Sequence, residues 1–143
     1  GASTLPITDF NMTRFMISLE DAVGLVWTAF NDTTGGETYV KKSPSMKLTD
    51  LASAVAPGLK LRAIGIRPGE KIHEQMISHE DALHTYEYPD MYKILPNLHE
   101  WNNSELRIGN GKKVREGFVY SSDTNEKWMT QEYLKKWISD NLA

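Results

Sequence analysis

The chain has 143 residues, no cysteine, and a formal net charge of −3 from 16 basic and 19 acidic side chains. This length suits one domain that buries a core without a disulfide or metal staple, and 40% hydrophobic with 24% charged residues excludes wholesale disorder and collagen-like structure. The lack of thiols excludes cysteine catalysis and cysteine-based zinc sites, and a pI of about 5.8 argues against a nucleic-acid partner. No apolar run approaches a membrane span and no signal peptide opens the chain, so no membrane partner and a cytoplasmic location are expected.

Residues 12–17 are mostly apolar and predict a short strand. Ser18 opens a capping-box-like Ser-Leu-Glu-Asp. Leu19, Ala22, Val23, Val26, Trp27 and Phe30 then recur at helical spacing, which predicts a helix with one apolar face, ended by turn residues 31–36. A strand is predicted over 37–41. Pro44 and Ser45 break it and lead to a second helix with Leu48, Leu51, Ala52, Val55 and Ala56 on one face, stopped by Pro57-Gly58. Residues 61–66 predict a buried strand, 67–70 a turn and 71–78 a short helix. In the second half, 84–94 is rich in tyrosine (Tyr86, Tyr88, Tyr92) and reads as one extended strand or edge. Residues 96–111 read as a long polar connection containing Trp101, and 113–121 as a strand able to pair into a hairpin-like arm. Thr130 caps a last helix with Leu134, Trp137, Ile138 and Leu142 on its apolar face. Trp27, Trp128 and Trp137 are expected in the core. The predicted fold class is α/β (α+β). One mixed domain spans 1–143, with an α/β segment at 1–80 and an extension at 81–143 that carries the arm and the final helix.

The charge is unevenly distributed. Between positions 41 and 71 the bases Lys41, Lys42, Lys47, Lys60, Arg62, Arg67 and Lys71 face only Asp50 and Glu70. Between 72 and 106 Lys93 stands alone against seven acids. Two readings stay open: a local anionic ligand such as a phosphate, or a solvated face that pairs with the acidic stretch. His73, His79, His84 and His99 lack the spacing that places two imidazoles on one helical face, so no metal site is expected. Gly109-Asn110-Gly111 lacks the third glycine of a dinucleotide fingerprint and fits a hairpin turn. No tyrosine is followed four residues later by lysine, so the catalytic pair of short-chain dehydrogenases is missing and no catalytic residue is assigned. The sharpest local feature is Arg67-Pro68-Gly69-Glu70, a turn after a predicted strand. There Arg67 has the geometry to fork onto a diphosphate, and Glu70 to accept ribose hydroxyls. The alternative is an exposed turn in which Glu70 only complements a helix dipole.

Leu5–Asp9, Met12–Phe15, Gly35–Glu37, Pro44–Lys47, Thr49–Ala52, Ile64–Lys71 with His73 and Glu74, and Glu116–Asp123 with Asn125 and Lys127–Thr130 form an ordered series of blocks. Together the series resembles the UDP-N-acetylglucosamine 4,6-dehydratases of bacterial surface-polysaccharide biosynthesis. Met16, Lys41 and Ser43 depart from it, standing where many relatives have Trp, Pro and Ile. The family belongs to the extended short-chain dehydrogenase/reductases, in which an N-terminal Rossmann domain holds NADP or NAD and the catalytic residues. The resemblance implies that this chain is the C-terminal, substrate-binding portion. It also implies that Arg67 contacts a nucleotide diphosphate, that Glu70 lies near the ribose, and that Arg14 lies near the same ligand. Dehydration needs a hydride carrier and an acid–base pair beside the sugar, so the chain is expected to hold no cofactor and to be inactive alone. Three functions follow as expectations: a UDP-sugar-binding domain; an interaction protein whose bare apolar faces form a homo-oligomer or meet a partner subunit; or half of an enzyme completed by a separate Rossmann chain carrying NADP or NAD.

Overall fold

The computed structural model describes residues 3–97 and 105–142; His99 and Trp101, and the side chain of Leu142, lie outside that description. In chain order the elements are β1 (Thr4–Ile7), β2 (Thr13–Phe15), α1 (Leu19–Asp32), β3 (Thr38–Lys41), β4 (Ser45–Lys47), α2 (Leu48–Val55), β5 (Lys60–Ala63) and β6 (Gln75–Ile77). They continue with α3 (His79–Ala82), β7 (Thr85–Glu87), β8 (Met91–Ile94), α4 (Glu105–Ile108), β9 (Lys112–Lys113), β10 (Tyr120–Ser121) and α5 (Gln131–Leu142). This is the mixed strand-and-helix class expected from the sequence. In space the chain forms two compact units, each assembled from separate stretches: 1–16, 44–74 and 121–143 in the first, 17–43 and 75–120 in the second.

In the first unit, β1 pairs in parallel with β5 and β2 antiparallel with β4. The core gathers Met46, Met129 and Leu134, with Met16, Leu51, Ala54 and Trp137 packed against it. Leu134 is 0% exposed, as the periodicity of α5 requires. The tail 125–129 runs beside β4: the Ser45 amide donates to the Lys127 carbonyl and the Met129 amide to that of Ser45, each at 2.8 Å. Asn125 adds a bond from Nδ2 to the Ser45 hydroxyl at 3.0 Å. Two expectations fail here. The strand at 60–63 is largely exposed, with Ile64 and Ile66 beyond it also exposed, because it has β1 as its one strand partner and lies at the edge of a two-stranded ladder. Residues 71–74 are not helical. The carbonyls and amides a helix would pair internally are taken by other segments, the Thr13 amide reaching the Ile72 carbonyl at 3.0 Å and the Ser122 amide that of Glu74 at 2.8 Å. Residues 75–77 then form β6.

In the second unit, four strands form an antiparallel sheet in the order β3-β8-β7-β9. The stretch expected as one extended strand is a tight hairpin, closed where the Tyr88 amide donates to the Met91 carbonyl at 2.9 Å. The predicted strand at 113–121 is broken, because a turn at Arg115–Phe118, with Gly117 at φ 73°, separates β9 from β10. The polar connection carries a short helix, α4, whose Arg107 reaches back to the Glu37 carboxylate at 2.5 Å and the Gly35 carbonyl at 2.9 Å. Lys93, 2% exposed, is paired with Asp32 at 2.7 Å and lies over the Tyr88 ring. Tyr92 packs against Phe118 and Tyr120.

Ser18 caps α1 as its sequence predicts, accepting the Asp21 amide at 3.1 Å. The outcome for the apolar face of that helix differs from expectation. Ala22, Leu25 and Ala29 are half-buried, whereas Leu19, Val23, Val26, Trp27 (62%) and Phe30 (74%) are exposed. Trp128 is also mostly outside the core, at 39%, since its indole N–H is turned to the Asn125 carbonyl at 2.7 Å. Of the three tryptophans, Trp137 is the one packed against a core.

Glu37, with a side chain 1% exposed, yields a pH prediction. Burial pushes its carboxyl up, but hydrogen bonds from Thr34, Thr33 and the Gly35 amide outweigh this and hold it at about 2, against 4.5 for a free glutamate. Between those values the folded chain binds fewer protons than the unfolded one. The stability this group contributes is therefore complete above pH 4.5 and lost as pH falls through about 2. Glu37→Gln is expected to cost about 1–3 kcal/mol near neutral pH, and urea titrations should show the gap to the parent narrowing across that acid window.

Candidate functional site

Arg67, Pro68, Gly69 and Glu70 form a type II turn. Pro68 supplies the fixed φ of the second position and Gly69 the positive φ (82°) that the third demands. The Glu70 amide donates to the Arg67 carbonyl at 3.0 Å, and the Glu70 carboxylate accepts the Arg67 amide at 3.2 Å. Glu70 is thus fixed by the turn it helps to close, not by a following helix. The Arg67 guanidinium projects from an exposed position and makes no hydrogen bond or ion pair among the described residues.

Arg14 is placed differently. Its Nη1 donates to the Thr13 and Ile72 carbonyls at 2.7 and 3.0 Å, and its Nη2 to the Lys71 carbonyl at 3.0 Å. Its Nε faces the Glu74 carboxylate at 3.3 Å. One side chain from β2 therefore holds the backbone that leaves the Arg67–Glu70 turn. Beside it, the Thr13 hydroxyl meets His73 Nδ1 at 2.8 Å and the Ser122 hydroxyl at 2.7 Å, and Ser122 accepts the Glu74 amide at 2.9 Å. The Ser121 hydroxyl donates to Asp123 and is the main reason that carboxyl stays below its usual range, with a smaller contribution from the nearby His73. Thr13 and Ser122 are 109 positions apart, and nothing in the sequence signals their meeting. For His73 the signal was its place just after the Arg-Pro-Gly-Glu-Lys block.

The structure thus brings Arg67 and Glu70 together in one turn and sets Arg14 at the root of that turn. Among the described residues no group of three or more His, Asp or Glu side chains is placed to hold a metal ion, and no helix is long and apolar enough to cross a membrane. Gly109 and Gly111 do not form a dinucleotide cradle. Gly109 ends α4, where its amide donates to the Glu105 carbonyl at 2.8 Å. A Cβ on Gly111 would stand 2.5 Å from the Tyr88 phenol, so that glycine makes room for a tyrosine and not for a pyrophosphate.

A turn presenting an unpartnered arginine on an α/β frame is characteristic of anion recognition, and the comparisons give it a family. A family model described as "Polysaccharide biosynthesis protein" matches residues 1–96, and the chain belongs to that family. It is similar to two proteins from Campylobacter jejuni named UDP-N-acetylglucosamine 4,6-dehydratase (inverting): 47% identical over 97% of this chain and 43% of the relative, and 48% over 94% and 42%. A protein from Rickettsia canadensis named UDP-glucose 4-epimerase is 34% identical over 97% of this chain and 42% of its own length. Among solved structures, that of Pen from Bacillus thuringiensis matches with a TM-score of 0.79 and 29% identity, over 98% of this chain and 42% of that one. The resemblance carried by the sequence blocks is thereby borne out. The chain spans about two-fifths of the length of these relatives and is related to nucleotide-sugar biosynthesis.

Replacing Arg14 by Gln should release the 71–74 backbone. Amide exchange at Thr13 and Glu74, whose N–H groups depend on that segment, is expected to accelerate by about tenfold or more, while exchange at Leu134 stays unchanged.

Proposed function

We propose that this chain binds the diphosphate of a UDP-N-acetylhexosamine at the Arg67–Glu70 turn, and that it does not dehydrate the sugar by itself. The observation that carries the reading is the Arg67 guanidinium, presented on a hydrogen-bonded turn and unpaired among the described residues. Its planar fork suits two phosphate oxygens, and the basic stretch of 41–71 adds an attractive field. Glu70, half-buried and held by the Arg67 amide, keeps acceptor capacity for ribose hydroxyls. Arg14 acts mainly by holding the turn's exit, with one Nη2 hydrogen left for the ligand. The names of the dehydratase and epimerase relatives support a UDP-sugar as the ligand class. Inactivity alone belongs to the same proposal: the described residues offer no dinucleotide cradle and the chain no Tyr–Lys pair, so NADP or NAD and the catalytic groups would be supplied from outside these residues. A cytoplasmic location belongs to the same proposal. UDP-N-acetylglucosamine at millimolar concentration is expected to raise the melting temperature by about 2–4 °C. Arg67→Ala should abolish that shift without lowering the unliganded melting temperature, and an unchanged shift in the variant would remove Arg67 from the site.

A second reading rests on the exposed stripe of α1. Leu19, Val23, Val26, Trp27 and Phe30 present a helical apolar face to solvent, which in a lone soluble chain marks an interaction surface. On this reading the chain is an interaction protein that forms a homo-oligomer or joins a partner subunit through that face. Trp27→Glu with Phe30→Glu should leave stability within about 0.5 kcal/mol and abolish any concentration-dependent association seen by sedimentation. Association that survives the double substitution would place the interface elsewhere.

A further inference from the structure

The second unit contains a cavity of about 280 Å³ where α1 passes over the β7–β8 turn, lined among others by Leu25, Lys41, Pro89, Asp90 and Met91. That volume is at the lower end for small-molecule sites, so an occupant is limited to roughly a dozen heavy atoms. The wall is apolar on Leu25, Pro89 and Met91, and the Tyr88 phenol is already fixed, donating to the Ile108 carbonyl at 2.6 Å. Two charges of opposite sign complete the lining. Lys41 is the register partner of Met91 across the sheet, so their side chains share a face. Among the described residues its ammonium pairs with Asp21 at 3.8 Å, whereas Lys42 and Lys93 hold their carboxylates at 2.6 and 2.7 Å. An exposed ion pair that long contributes little and yields readily to a ligand. Asp90 has its carbonyl fixed by the Lys42 amide at 3.0 Å, and its exposed carboxylate makes no hydrogen bond or ion pair among the described residues.

A monoanion in this cavity would meet Asp90 and a monocation Lys41, each with an unfavourable neighbour. A ligand carrying both charges satisfies both, and an apolar body fits the remaining wall. We propose that this cavity binds a free α-amino acid with a medium-sized apolar side chain. The carboxylate pairs with Lys41, the ammonium with Asp90, and the side chain lies against Leu25, Pro89 and Met91. None of these residues belongs to the Arg67–Glu70 turn, so this proposal and the nucleotide-sugar reading stand or fall separately.

The test is a titration of the whole chain with leucine, followed by amide NMR. Isocaproate (no ammonium), isoamylamine (no carboxylate) and glycine (no apolar body) serve as comparators. Leucine is expected to give saturable shifts at Leu25, Lys41, Tyr88 and Met91, and each comparator to bind at least about tenfold more weakly. Lys41→Met and Asp90→Asn should each weaken leucine binding by at least about tenfold. Gly24 also lines the cavity, and a Cβ there meets nothing within 4 Å, so Gly24→Leu should fold, fill the space and abolish the shifts. The proposal is overturned if leucine gives no saturable shift at millimolar concentration, if isocaproate or isoamylamine binds as tightly as leucine, or if a folded Gly24→Leu protein binds leucine unchanged.

Discussion

The first unit depends on a single side chain that holds backbone in place of a helix. Arg14 donates to three carbonyls, two of them in the 71–74 segment, and faces the Glu74 carboxylate. Charged donors on carbonyls make stronger hydrogen bonds than neutral ones, and here they hold the segment out of the helix its local pattern permits. The Thr13–His73–Ser122 chain of hydroxyls and imidazole fastens the same stretch from the other side. Because its exit is held, the Arg67–Glu70 turn can close on its own backbone and leave the Arg67 guanidinium unpaired. For the binding proposed at this turn, such a support would be preorganised and would reduce the ordering cost.

The second unit handles charge differently. Lys93 and Glu37 are nearly inaccessible, yet each has a counter-ion and additional polar or aromatic neighbours. Buried charges of this kind are tolerated only when so satisfied, and they fix α1, β3 and α4 around one sheet. The same unit leaves the broadest apolar surface of α1 in solvent. Its alanines and Leu25 are half-buried, whereas Trp27, Phe30 and the valines are exposed. The relatives are more than twice as long as the stretch they share with this chain. The two proposed readings thus rest on different units: the Arg67–Glu70 turn on the first and the exposed face of α1 on the second.

Much of the secondary structure was legible. Ser18 and the apolar spacing of 19–30 specified α1, Leu134 and Trp137 specified α5, and Pro57-Gly58 ended α2 near its predicted stop. These features are local, set by capping, period and turn residues within a few positions of each other. The misreadings have one cause. Residues 71–78 looked helical because their local pattern permits a helix, but their hydrogen bonds go to Thr13, Arg14 and Ser122. The strand predicted at 61–66 looked buried because Leu61, Ala63, Ile64 and Ile66 are apolar, but burial depends on partners that local sequence does not name. Trp27 looked like core for the same reason.

The candidate site divides along the same line. Arg67 and Glu70 could be singled out because a Pro-Gly turn and a family block are written contiguously in the chain, and that contiguity also carried the resemblance later borne out. By itself the sequence determined α1, α2 and α5, the turn, the family and the unusual mix of charge. The tertiary structure alone decided that Arg14 supports the turn, that Thr13 meets Ser122, that separate stretches interleave into two units, and that Lys41 and Asp90 share a cavity. Period and propensity act over one turn or one strand, whereas these contacts join residues tens of positions apart, and only the folded backbone sets such distances.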